Sequence, residues 1–292
     1  MKQTFAVCRI TLVSLLLLLT VACSNEDQGM ALPETLRIGI LPDESESQLR
    51  TTYSPLFDYV AGKAGVGYEF VIPESYDALV IALANKEVDL AYFGGVTYLL
   101  AKERHGAIPL VMRDKDLRFT SYFLVRADDP GKKISDFKDR ALSFGSKLST
   151  SGHLMPRYFL GKLGIDPEGF FSRIEYSGKH DATAYMVRDS KVDIGAANSS
   201  IISKMYNDGR LDPKDVRIIY ETPPYADYVW AIRPGFSNNA REKIVNAFLS
   251  LSPVNDTHAA ILKAVNAGGY LPASDNDYSE LTGIFYQLGF NE

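Results

Sequence analysis

Apolar and polar positions along the chain alternate between two periods, one of strand type and one of helix type. The run Leu36-Arg37-Ile38-Gly39-Ile40-Leu41 has strand character. After it Phe57, Val60, Ala61 and Ala64 recur at i, i+3, i+4 and i+7, one face of a helix. Residues 68–72 read as a second strand and Leu79, Ala82 and Leu83 as a second helix. A third strand over 88–93 ends at Gly94-Gly95, where a helix starts. Strands alternating with helices predict an α/β fold with a mainly parallel sheet.

The turn signal Asp128-Asp129-Pro130-Gly131 introduces a second α/β block. Its strands are read at 141–144, 173–176 and 192–196, with a helix marked by Ala182, Tyr185 and Met186 and a further strand at 216–220. A β run resumes at 228–232, beyond Pro223-Pro224. Three helical segments close the chain; Ile244, Ala247, Phe248 and Leu251 mark the first, and Leu281, Ile284, Phe285 and Leu288 the last. A chain that returns to its first block predicts two lobes, 36–125 plus 228–292 and 126–227, with a ligand cleft between them. Strands over 120–126 and 228–233 are expected to make the two crossings, and hinge closure would follow. Two independent domains in series remain the alternative, since periodicity does not separate the cases.

The first residues follow neither period. Lys2 and Arg9 precede a Leu-rich, uncharged run over 10–22, shorter than the roughly 20 apolar residues that span a bilayer. Residues 1–22 therefore read as a secretory signal, with an uncleaved anchor as the alternative. The sequence Leu19-Thr20-Val21-Ala22-Cys23 resembles a lipidation box, in which Cys23 becomes the lipid-bearing N-terminus, although Thr20 takes the place usual for Leu. Cleavage before an unmodified Cys23 is the other reading. The sequence has two Cys. Removal of Cys8 with the signal leaves Cys23 without an intramolecular partner, and a lipid accounts for the odd thiol. Residues 23–35, polar and containing Pro33, are expected to tether the domain to the membrane.

Composition narrows the class. About 260 residues beyond the tether suffice for one large domain or two ordinary ones. With 31 Lys and Arg against 36 Asp and Glu, the net charge of -5 argues against nucleic acid as a partner.

Candidate chemistry sits at strand-to-helix junctions, where ligands of open α/β sheets bind. In Ser149-Thr150-Ser151-Gly152-His153, three hydroxyls and a glycine open a helix. Unpaired first-turn N–H groups and the helix dipole suit such a place to an anion, although plain capping needs only one hydroxyl. At Ser177-Gly178-Lys179-His180-Asp181-Ala182, His180 is a candidate donor to an oxyanion, or else a solvent-exposed turn residue. Tyr92-Phe93-Gly94-Gly95 and Ala196-Ala197-Asn198-Ser199-Ser200 occupy equivalent junctions.

On these four segments, together with Leu41-Pro42-Asp43-Glu44, the chain resembles the substrate-binding proteins of phosphate/phosphite/phosphonate ABC importers, from about residue 36 to the C-terminus. The resemblance implies a two-lobed, type II periplasmic-binding-protein fold. It implies that Ser149, Thr150, Ser151 and Gly152 hold the anion's oxygens and that Tyr92 and His180 reach the ligand. Asn198 stands where many phosphonate and phosphite binders have Asp; a neutral amide that donates suits a more fully ionised ligand. The stretch from Phe144-Gly145-Ser146 to Met155-Pro156 is also similar to members assigned to selenate-type oxyanions. Implied partners are a small oxyanion and ABC permease and ATPase subunits, with a monomer expected and no cofactor.

Other classes carry weaker signals. The sequence has no Gly-x-Ser-x-Gly elbow, no phosphate-loop Lys motif and no His-Glu-x-x-His, so no catalytic residue is expected. Four scattered His and a single terminal Cys make a metal site hard to assemble. A phosphatase-like enzyme would need an activated nucleophile. A ligand-binding sensor subunit on the same fold has the same sequence features as a transport protein.

Overall fold

A computed structural model describes residues 29–291. The secretory segment and Cys23 lie outside the described residues. Two mixed sheets, each covered by helices, build two lobes. In the first, strands β1 (Thr35–Ile40), β2 (Gly67–Val71) and β3 (Leu90–Phe93) run parallel, joined by helices α1 (Glu46–Ala64) and α2 (Tyr76–Ala84). Helix α3 (Gly95–His105) leads to β4 (Ile108–Arg113). The second lobe holds β5 (Ser121–Arg126), β6 (Ala141–Phe144), α4 (Met155–Lys162), α5 (Pro167–Phe170), β7 (Arg173–Tyr176), α6 (His180–Arg188), β8 (Ile194–Asn198), α7 (Ser199–Asn207) and β9 (Val216–Glu221). The chain then returns through β10 (Val229–Ile232), α8 (Asn238–Leu249), α9 (Asp256–Ala264), β11 (Tyr270–Pro272) and α10 (Ser279–Gln287). The sheet orders are β11-β4-β10-β3-β1-β2 and β7-β6-β8-β5-β9.

The expected mainly parallel sheet is corrected to two mixed ones. Strand β10 enters antiparallel between β3 and β4, and β5 antiparallel between β8 and β9. Both insertions follow from the double crossing, because each lobe receives a strand that arrives from the other. For the same reason the crossings are not at 120–126 and 228–233. Strands β5 and β10 are ladder-bonded on both sides, and all four residues of β10 are buried, as in a strand covered on both faces. The lobe boundary expected at 125/126 thus falls inside a strand of the second sheet. The passages run instead through residues 114–120 and 222–228. They pair with each other as a short antiparallel bridge, the Phe119 N–H donating to the Tyr225 carbonyl (2.8 Å) and the Tyr225 N–H to that of Phe119 (3.0 Å). Arg113, buried, ties off the entry to this bridge with a bidentate ion pair to buried Asp116.

A large core around Phe57, Phe93, Trp230 and Phe248 holds the first lobe, while two smaller clusters cover the two faces of the second sheet. Leu154 and Met155, from the second lobe, pack into the first lobe's core, so the lobes meet along α4. The expected tether 23–35 is not free at its end. The Met30 N–H donates to the Gly235 carbonyl (2.8 Å), Ser237 N–H donates to the Met30 carbonyl (2.9 Å), and β1 has begun by Thr35. Among the described residues no helix is long and apolar enough to cross a membrane.

Candidate functional site

The junctions picked out by their hydroxyl and glycine content converge where the lobes meet. Ser149 ends the loop after β6; its Oγ accepts from the Gly152 N–H (2.9 Å). The backbone then takes one π-type turn, Thr150–Leu154, before α4 begins. Such wide turns leave first-turn groups unpaired and recur at functional sites. Gly152 is required by close approach: a Cβ there would stand 2.9 Å from His180 Cε1 and 3.0 Å from Ser149 Oγ. Ser151 is buried, its carbonyl accepting from Ser121 Oγ (2.7 Å). Its own hydroxyl makes no formed hydrogen bond and lies near the Tyr225 hydroxyl.

The first lobe presents the start of α3 to this turn. Val96 N–H donates to Thr150 Oγ1 (3.0 Å) and Gly95 N–H to Asp227 Oδ1 (3.0 Å). Two helix starts, one from each lobe, thus face each other with the Thr150 hydroxyl between them, an arrangement that favours negative charge. Asp227, from the returning passage, is 1% exposed, and its Oδ2 has no hydrogen bond among the described residues. Burial pushes this carboxyl up to about 7, against the opposing pull of the Gly95 N–H and Thr150. Sequence reasoning missed Asp227; an acidic residue closely followed by the apolar run of β10 was the available signal.

His180 is fully buried at the start of α6, not exposed in a turn. Its Nδ1 accepts from the Asn198 N–H (3.2 Å), which assigns the proton to Nε2. That nitrogen faces the Tyr76 hydroxyl (3.4 Å) and Asp43 Oδ1 (3.7 Å). Burial holds the imidazole near a pKa of about 3, hence neutral. Asp43, in the loop after β1, accepts from Tyr76 OH at Oδ1 and from Tyr228 OH at Oδ2 (2.8 Å). Burial raises this carboxyl too, to about 7, despite both tyrosines. Tyr76 and Tyr228 carried no sequence signal as site residues, and Asp43 entered only through the family resemblance.

Two of the seven expected ligand residues are placed differently from the rest. Asn198 is committed at both side-chain atoms: Oδ1 caps α7 by accepting from the Ile201 N–H (2.9 Å), and Nδ2 donates to Tyr228 OH (3.1 Å). Tyr92 stacks between Tyr228 (5.0 Å between centroids) and Trp230 (4.7 Å) and borders a separate cavity. The structure brings together Ser149, Thr150, Ser151, Gly152 and His180, and adds Asp227, Tyr76 and the first amides of α3. Among the described residues no group of three or more His, Cys, Asp or Glu is placed to hold a metal ion.

Direct contacts hold the lobes closed around this group. His180 N–H donates to the Asp43 carbonyl (3.0 Å), Arg210 pairs with Glu44 (2.6 Å), Lys204 Nζ donates to Thr52 (2.7 Å), and Asn266 Nδ2 donates to Ser200 (2.6 Å). Two α/β lobes joined by paired crossings, meeting at a buried group of amides, hydroxyls and one neutral imidazole, define a clamshell solute-binding protein of the periplasmic type.

Comparison with known proteins gives the family. Residues 38–278 match the model of the ABC transporter, phosphonate, periplasmic substrate-binding proteins, and the chain belongs to that family. It is 28% identical over 268 residues to the probable ABC transporter phosphite-binding protein PhnD1 of Prochlorococcus marinus, covering 88% of this chain and 90% of that protein. The phosphonates-binding periplasmic protein of Escherichia coli is 24% identical, over 97% of this chain and 86% of its own. The structure of PhnD1 in complex with methylphosphonate superposes with a TM-score of 0.83 at 26% identity, covering 89% of this chain and 100% of that one.

Proposed function

We propose that this protein captures a small tetrahedral phosphorus oxyanion that still carries a proton, a phosphonate, phosphite or phosphate, and delivers it to an ABC permease. It would do so from a lipid anchor at Cys23. The unpaired Oδ2 of buried Asp227 carries the reading. Helix-start amides and the hydroxyls of Thr150 and Ser151 suit the ionised oxygens, and a carboxyl beside them suits an anion that shares a proton with it: ionised, Asp227 accepts from a protonated ligand oxygen, and protonated, it donates to an ionised one. Fully ionised sulfate or selenate would meet repulsion wherever that carboxyl is ionised, whereas a ligand with its own proton fits the ionised form. In this reading Asp227 takes the acceptor role, while the Asn198 amide is engaged by Ile201 and Tyr228.

In this reading the paired passages at Phe119 and Tyr225 act as the hinge, and the Thr150 hydroxyl turns from the Val96 amide towards an anion oxygen as ligand enters. The neutral His180 donates from Nε2 with no charge to desolvate. Isothermal titration of the purified protein with phosphate, phosphite, methylphosphonate, sulfate and selenate tests the assignment. Tighter binding of sulfate or selenate than of every phosphorus anion would overturn it.

A further inference from the structure

Beside the anion group lies a chain of hydrogen bonds that borders a small, partly open cavity. Tyr76 OH donates to Asp43, Tyr228 OH donates to the other oxygen of the same carboxyl, and Asn198 Nδ2 donates to Tyr228 OH. The chain runs from the first lobe through the hinge exit to the second lobe. Tyr76 and His180 stand on the anion side of it. On the far side is a cavity of about 30 Å³ lined by Glu44, Tyr53, Tyr92 and Arg113, with Asp43, Tyr228 and Asn198 as its near wall. Tyr92, 2% exposed, leaves its hydroxyl on this cavity without a hydrogen bond among the described residues. The cavity's charges are spoken for, Glu44 by Arg210 and Arg113 by Asp116. Its size suits about one or two water molecules.

Donors from the two helix starts occupy one flank of the anion group. Asp43 stands on the other flank, facing His180 through one oxygen and holding the Tyr228 hydroxyl with the other, so a substituent on phosphorus directed away from the helix starts would approach Tyr228. We propose that Tyr228 sets the upper size of the ligand, walling the anion site from the cavity. The site then takes anions whose fourth substituent is hydrogen, hydroxyl or methyl and rejects aminoalkyl phosphonates. This inference rests on the reading of the pocket as a phosphorus oxyanion site.

Titration of the purified protein and its variants with phosphite, methylphosphonate and 2-aminoethylphosphonate separates the two claims. The parent is expected to bind 2-aminoethylphosphonate at least about a hundredfold more weakly than methylphosphonate. Tyr228→Ala joins the cavity to the site and should narrow that gap about tenfold or more; Tyr228→Phe keeps the ring and should keep the gap. If Tyr228→Ala does not fold, as the stack on Tyr92 makes conceivable, Tyr228→Leu is read in the same way, with phosphite binding as the test of an intact site. A parent that binds the two phosphonates within a few-fold of each other overturns the wall. So does a folded, phosphite-binding Tyr228→Ala or Tyr228→Leu with an unchanged gap. A parent that binds none of the three anions overturns the phosphorus-oxyanion reading itself, a pattern distinct from loss of size selection.

Discussion

Thr150 Oγ1, in the second lobe, accepts the N–H of Val96, at the start of a helix in the first, at 3.0 Å. One hydroxyl therefore satisfies an orphan helix amide of the opposite lobe and, in the proposed reading, also meets the anion. Hydrogen bonds to charged groups contribute roughly 1.5–3 kcal/mol, so Thr150→Ala should weaken anion binding about tenfold to a hundredfold. Thr150→Ser should recover most of the loss. Titration calorimetry checks both, and an unchanged dissociation constant for Thr150→Ala would place the site elsewhere.

Asp227 predicts a change of ranking among ligands. Asp227→Asn keeps the shape and replaces a carboxyl that is ionised above about pH 7 by an amide that donates at every pH. Phosphite and phosphate should bind less well, and sulfate and selenate better, each relative to the parent. An anion ranking identical in parent and variant would refute the proton-acceptor role.

Stability should depend on pH in an unusual direction. Asp43 and Asp227 have folded-state pKa values near 7 against an ordinary 3.8, so the folded molecule retains protons that the unfolded chain gives up. Their contribution is complete below about pH 4 and is lost as pH rises through about 7. The midpoint of thermal unfolding, measured in ligand-free buffer from pH 5 to pH 8, should fall with pH. The slope should be shallower in Asp43→Asn.

Closure should be visible in solution. The Phe119–Tyr225 bridge pairs the two passages between the lobes, and Glu44–Arg210 ties one lobe to the other by an ion pair. Arg210→Ala should enlarge the ligand-free radius of gyration in small-angle scattering, and a bound anion should restore the compact value. Equal radii for parent and variant, with and without anion, would leave the clamshell motion without support.

The anchor is testable apart from the fold. Cys23→Ala should release the protein from the membrane fraction or leave its precursor unprocessed. A variant processed to the parent's size with unaltered fractionation would argue for cleavage without a lipid.

Much of the fold was legible because buried strands and amphipathic helices write their period into the sequence. The stripe at Phe57, Val60 and Ala61 is buried in α1 as its spacing requires. Strands β4 and β11 passed unread; β4 carries Pro109, and β11, Tyr270–Pro272, is too short to show a period. Mixed sheets were illegible for another reason, since local pattern does not record which strand arrives from the other lobe. In the site, Ser149, Thr150 and His180 stood out as polar residues at helix starts. Asp43, Tyr76, Tyr228 and Asp227 did not, because their importance comes from contacts between segments as far apart as Asp43 and Tyr228, whose bond no local spacing encodes.

The bridge between Met30 and Phe236 places the point of attachment on the first lobe. Seven residue steps separate Met30 from Cys23, a leash of at most about 25 Å. A folded body of this length has a radius of gyration of roughly 18 Å. With the proposed lipid on Cys23, the first lobe would be held within about its own size of the bilayer surface and the second lobe would be left as the swinging jaw. The mouth of the cleft would then sweep a restricted arc above the membrane, and a ligand would travel only a short distance from capture to the transporter beneath.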